Sequence, residues 1–227
     1  MIKRTHKILI MILLFVSLLA GFSLCLYASD YWYFIIINTV LVLAVIFLAF
    51  LYILRVIQSK KMLEFQKNND TETGLKFAKQ VYDNTLFIEK KAAYMQLLSA
   101  YLLTGDIKGF TDCYLLKPVR NNPFSTVYCF FNAKPMEDNG IKKNTTEALL
   151  YLNTCLYALV QNDMPLANEN AAKLCFFEND FFKSMAYYAL SITERVQGKQ
   201  SLSEINIETA LHFAPSEQMK DFFSKNN

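Results

Sequence analysis

Two histidines, five cysteines and one pair of adjacent acids are the residues here whose chemistry would reach beyond packing. A histidine titrates near neutral pH and can carry a proton or ligate a metal. His6 and His212 stand far apart in the chain and share no local motif. A single histidine on a helix is ordinarily packed or solvated. The cysteines, Cys25, Cys113, Cys129, Cys155 and Cys175, are odd in number and scattered, with no CxxC pair. That spacing argues against a zinc site or a disulfide framework and fits small buried hydrophobes in a reducing cytosol. Glu137 and Asp138 sit beside Gly140 in a turn-like stretch, and two neighbouring carboxylates do not make a metal site. No HExxH, phosphate-binding glycine loop or GxSxG occurs. The expectation is therefore no catalytic, cofactor-binding or metal-binding residue, no small-molecule substrate, and a protein that is not an enzyme.

If not chemistry, the chain must be read for its surfaces, and the first of these is apolar. Ile8–Ala28 is an uncharged run of 21 residues, and Phe34–Ile57 is a run of 24 whose one charge is Arg55. Roughly 20 apolar residues cross a membrane core as helix, so each run is long enough. The short connection Ser29–Tyr33 predicts an antiparallel transmembrane hairpin, a domain over 1–58 with spans at about 8–28 and 34–57. Lys3, Arg4 and Lys7 precede the first run, and Arg55, Lys60 and Lys61 follow the second, while the connection carries only Asp30. Basic flanks resist translocation, which places both termini in the cytoplasm. Tyr27, Tyr31, Trp32 and Tyr33 belong at the outer headgroup level. The rival is a signal peptide cleaved near Ala28, which would reverse the topology; the long uncharged run argues for the hairpin. Cys25 follows Leu24, not the small residue a lipoprotein needs. Ser17 and Gly21, four apart, permit close helix approach, and Asn38 or Thr39 can bond across the pair.

Charge narrows the partners. Setting aside Lys3, Arg4, Lys7 and Arg55 leaves 19 of 23 basic residues, and setting aside Asp30 leaves 19 of 20 acidic ones. The rest of the chain is formally neutral, so the net +3 reports topology and predicts no nucleic-acid footprint. Membrane lipid is the one partner that the basic ends would attract.

From residue 59 onward helical periodicity alternates with short turns, and the chain holds only six glycines and five prolines. The helix through the second span should run some ten residues beyond Ile57. Further helices are expected at about 71–83, 86–104, 106–116, 146–161, 164–177, 180–197, 201–214 and 216–225. Pro165 suits the first turn of its helix, and Ser201 or Ser203 suits a cap. Lys117–Asn144 reads as an insertion, at about 117–145, with a short helix over Phe124–Phe131 and an exposed loop. The fold class is all-α.

A repeat runs through this region. Tyr94, Leu97, Leu98 and Tyr101 share a helix face, followed by the turn Gly105-Asp106 and then Phe110 and Tyr114. Tyr187 and Leu190 keep that spacing, Gly198 follows Tyr187 at the same distance, and Ile207, Ala210 and Pro215 close the unit. A fainter copy passes through Tyr151, Asn162-Asp163, Ala167 and Ala171, offset from the last by 36 residues. These residues resemble the tetratricopeptide repeat family over about 70–116 and 146–216. Leu98 and Ser191 stand where that family has Gly, Glu194 replaces a Tyr and Phe110 a small residue. The resemblance implies a solenoid of antiparallel helix pairs over 59–227, which binds protein.

The aromatic pairs Phe130-Phe131, Phe176-Phe177, Phe181-Phe182 and Phe222-Phe223 point about 100° apart when helical, so one ring can face the core and the other a neighbour or solvent. Together these readings predict a membrane-anchored adaptor or scaffold. Its repeats would bind a partner protein or peptide at the cytoplasmic face of the membrane. The layout looks most like that of bacterial membrane proteins, and homo-oligomerisation stays open. The alternative gives the function to the hairpin, as an oligomer serving a transporter, a small pore or toxin immunity.

Overall fold

The computed structural model describes residues 32–68, 70–85, 90–116, 122–136 and 145–226. Among them there is no strand. The helices are α1 (Trp32–Lys67), α2 (Thr71–Asn84), α3 (Lys90–Leu103), α4 (Ile107–Leu116) and α5 (Ser125–Phe131). They continue with α6 (Glu147–Val160), α7 (Met164–Leu174), α8 (Asp180–Val196), α9 (Gln200–Phe213) and α10 (Glu217–Lys225). The chain divides into two compact units, Met1–Lys61 and Met62–Asn227.

In the first unit the described residues belong to α1. Within that helix Thr39–Phe65, 27 residues whose most apolar stretch reaches a mean hydropathy of 2.9, is long and apolar enough to cross a membrane. At about 1.5 Å per residue such a segment exceeds a hydrocarbon core of about 30 Å. Ile36, Ile37, Leu41, Ile46, Leu48, Ile53 and Val56 are all exposed. They are spread around the helix instead of forming one stripe, as expected of a helix solvated by lipid. The expected span at 8–28, with Lys3, Arg4, His6, Lys7, Ser17, Gly21, Cys25 and Asp30, lies outside the described residues. α1 ends at Lys67, ten residues beyond Ile57, and Asp70 then opens α2 by accepting a hydrogen bond from the Thr73 amide at 3.3 Å.

The second unit is built from neighbouring helices laid antiparallel, as the cross-helix partners show. Tyr82 meets Tyr94 while Lys79 lies over Tyr101, so α2 and α3 run in opposite directions. The buried Tyr94 hydroxyl crosses from α3 to the end of α4 and donates to the carbonyls of Cys113 and Tyr114, both at 3.2 Å. Across α6 and α7, Tyr151 packs on Phe177 just past the end of α7, and the Cys155 thiol donates to the Ala167 carbonyl. In α8 and α9, Tyr187 stacks on Phe213 and Ser203 Oγ donates to the Ser191 carbonyl at 2.8 Å. These two bonds each join residues twelve apart, and all four residues are buried. Small side chains at the crossing let the backbones approach.

Three of the pairs turn alike. Gly105, Asn162 and Gly198 are left-handed, with φ of 68°, 59° and 75°. Each donates its amide three residues back, to Leu102, Leu159 and Arg195, and the next amide reaches five back, to Tyr101, Ala158 and Glu194. This closing geometry satisfies carbonyls that a helix end leaves open, and it favours glycine or asparagine because a Cβ is strained there. α5 ends on the same bonds with Ala133 at φ 47°.

Most helix limits fall within a residue or two of the expected ones. α7 is shorter, ending at Leu174, because the amides of Phe176 and Phe177 bond back to Lys173 and Leu174 and tighten the last turn. Residues 86–89 lie outside the described residues. The expected serine cap is corrected: α9 is preceded by Lys199, which makes no side-chain cap bond, and Ser203 faces inward.

One hydrophobic core runs through the unit. α5 joins it through rings: Phe124 and Phe131 meet Phe110, and Tyr128 stacks on Tyr114 at 4.1 Å. α10 then returns to the beginning. Ser216 Oγ donates to the Gly105 carbonyl at 2.6 Å, and the Lys108 amide donates to Gln218 Oε1 at 3.1 Å, contacts spanning 111 and 110 residues of sequence. Met219 and Phe223 are fully buried beneath it.

Candidate functional site

Among the described residues of the second unit lies a cleft of about 260 Å³. Its long wall is α3, which presents Met95, Gln96, Ser99, Leu102 and Leu103. Positions 95, 99, 102 and 103 recur at helical spacing and so share one face. Pro123 and Phe124 ahead of α5, Thr145, Thr146 and Leu149 at the start of α6, and Phe182 in the first turn of α8 complete the lining. The Pro123–Phe124 wall is fixed by two amides. Asn122 Oδ1 accepts from the Phe124 amide at 3.1 Å, and Asn153 Nδ2 donates to the Pro123 carbonyl at 2.8 Å. Both asparagines are buried, at 2% and 0% exposure, where such bonds offset the cost of taking an amide out of water. Asn122 Nδ2 and Thr126 Oγ1 are buried without a partner among the described residues.

None of the described lining residues carries a charge. The cleft offers apolar walls with a few neutral donors and acceptors in Gln96, Ser99, Thr145 and Thr146. Such a surface accepts an uncharged apolar group and can bond to a backbone amide beside it.

The residues singled out from the sequence do not converge there. His212 is exposed, with its ring edge-on to Phe213 at 5.2 Å. Burial pushes the Cys113 thiol up to about 11 and the Cys155 thiol up to about 12. It also raises Cys175, so these three cysteines stay protonated at neutral pH and are poor nucleophiles. No group of three His, Cys, Asp or Glu able to hold a metal occurs among the described residues. His6, Cys25 and the pair Glu137-Asp138 lie outside them. The aromatic pairs divide as their spacing predicts at three places. Phe181 and Phe223 are buried while Phe182 and Phe222 are half-buried, and Phe177 packs on Tyr151 and Phe182 while Phe176 is 88% exposed. Phe130 and Phe131 both stay half-buried against Phe222.

The cleft itself was not foreseen. Its one local signal is the interruption of the apolar run "AYMQLLSAYLL" by Gln96 and Ser99, a polar pair three apart on the helix. The remaining walls come from three distant segments. The chain matches no known family model, curated protein or solved structure.

Proposed function

We propose that this chain is a membrane-anchored interaction scaffold, and that the uncharged cleft on α3 receives an apolar segment of a partner protein. The cleft carries the reading: it is concave, walled by apolar side chains and edged by neutral hydrogen-bonding groups. The three like turns at Gly105, Asn162 and Gly198, and the buried small-residue crossings at Cys155–Ala167 and Ser191–Ser203, support a tetratricopeptide-like repeat of helix pairs. Contacts of α10 with the α3–α4 turn bend that repeat into a closed stack, since an open one would touch only its neighbours. Thr39–Phe65 supplies a span. With the preceding apolar run it forms a hairpin, leaving both termini in the cytoplasm of a bacterial cell.

A photo-crosslinking probe at Gln96 in the full chain tests the docking site in cells. The expected adduct is a protein that disappears when Ser99→Trp fills the cleft, with the thermal midpoint unchanged. An adduct indifferent to Ser99→Trp, or adducts to lipid alone, would sink the reading. Topology is tested separately: a cysteine probe at Asn226 on a cysteine-free background should resist an impermeant reagent in intact cells.

A further inference from the structure

α10 is held the way a bound helix is held. Its N-terminal end is read by the α3–α4 turn: Ser216 Oγ donates to the Gly105 carbonyl while accepting from the Met219 amide. Gln218 takes the Lys108 amide through its carbonyl oxygen at 3.1 Å and directs its amide nitrogen to Asp106 Oδ1 at 3.4 Å. Its far end is read by α8, whose Tyr188 hydroxyl donates to the Asn226 carbonyl at 3.2 Å. Between these ends two side chains four apart anchor it. Met219 is fully buried against a hollow too small for water, bordered by Leu102, Ile107, Phe110, Phe131 and Phe181, and Phe223 stacks on Tyr188 at 4.6 Å. Two buried anchors at i and i+4, with polar contacts at both ends, is the helix-in-groove mode of peptide recognition.

The link to the rest of the chain is slight by comparison. Only Ala214, Pro215 and Ser216 join α9 to α10, and nine residues are too few to hold a helix in water unaided. From these contacts we infer that the groove between the α3–α4 turn, α5 and α8 is a helix-docking site, and that α10 is its resident, displaceable ligand. The incoming partner is a short amphipathic helix with a Ser or Thr cap, a flexible apolar residue at its third position and an aromatic at its seventh, matching Ser216, Met219 and Phe223. A tethered helix competes at an effective concentration of about millimolar, so it masks the groove from weak partners and yields to a strong one. The groove also shares walls with the cleft. Leu102 borders both, Phe181 faces α10 where its neighbour Phe182 lines the cleft, and Phe131 and Phe124 divide in the same way at the two ends of α5. Displacement of α10 would therefore be felt in the cleft.

The test uses the full chain in detergent and a fluorescent peptide spanning Pro215–Asn226. With its anchors removed by Met219→Ala and Phe223→Ala, the chain should bind the peptide at least tenfold more tightly than the unaltered chain does. A peptide carrying the same two alanines should not bind. Equal binding by both chains, or none by a variant that keeps its helical circular dichroism, overturns the inference. If the double variant fails to fold, Ser216→Ala with Gln218→Ala, which removes only end contacts, must show the same preference, and its failure to do so counts equally against. Dimerisation of either variant without peptide would assign the groove to α10 of a second copy and overturn the partner reading.

Discussion

Gly105 and Gly198 end their helices with the same backbone, yet their surroundings are opposite. A Cβ added at Gly198 would meet nothing within 4 Å, whereas one at Gly105 would lie 2.7 Å from Ser216 Oγ, 2.8 Å from Met219 Cγ and 2.9 Å from Pro215 Cγ. One glycine serves only its own turn. The other serves its turn and also gives α10 a floor to sit on. Like local geometry thus carries unlike tertiary duty, and the difference lies wholly in what arrives from elsewhere in the chain.

Substitution separates the two duties. The largest effect is expected for Gly105→Ala, which adds left-handed strain to overpacking against α10 and should cost roughly 2–5 kcal/mol in urea denaturation. Amide exchange in α10 should rise with it. A cost no greater than that of the matching change at Gly198 would show that α10 does not rest on this turn.

The next effect is the share of the alkaline pH dependence that the closed end contributes. Burial raises the Tyr188 phenol to about 12. A folded value above the unfolded one, near 10, means that the stability from this group is complete below pH 10 and is lost as pH climbs through about 12. Its size is roughly 2 kcal/mol. Thermal midpoints measured between pH 9 and 12 should fall, and Tyr188→Phe should remove that part of the fall. An identical decline in the variant would remove Tyr188 from the account.

Gly198→Ala should cost only the backbone strain, roughly 1–2 kcal/mol, with exchange in α10 unchanged. The smallest effect belongs to the middle turn. Asn162→Gly relieves a left-handed asparagine and should stabilise by about 0.5 kcal/mol, since the gain in geometry is partly lost to the freer unfolded chain. Destabilisation by that change would mean that the asparagine side chain, not its backbone, holds the turn.

Much of the second unit could be read from the residues alone. The apolar spacing of Tyr94, Leu97, Leu98 and Tyr101, and the turn residues Gly105, Asn162 and Gly198, are local signals acting over one or two helical turns, and they locate helices well. Reading failed where the deciding partner is remote or competes for the same group. Ser201 or Ser203 is expected as a cap, yet both lie within α9 and Ser203 bonds inward to Ser191. α7 stops early where Phe177 swings against Tyr151 and Phe182. The cleft has Gln96 and Ser99 as its single local hint, because its other walls come from Pro123–Phe124, Thr145–Leu149 and Phe182.

The sequence by itself determined an all-helical chain with a segment apolar enough to span a membrane, and it located most helix ends. Hydrophobic periodicity and turn chemistry are short-range, so they survive without a fold. Only the tertiary structure decided that α10 closes back on Gly105, that Phe124 and Phe182 wall a cleft against α3, and that buried thiols stay inert. Each of these depends on groups brought together across long stretches of chain, where packing, not propensity, sets the free energy.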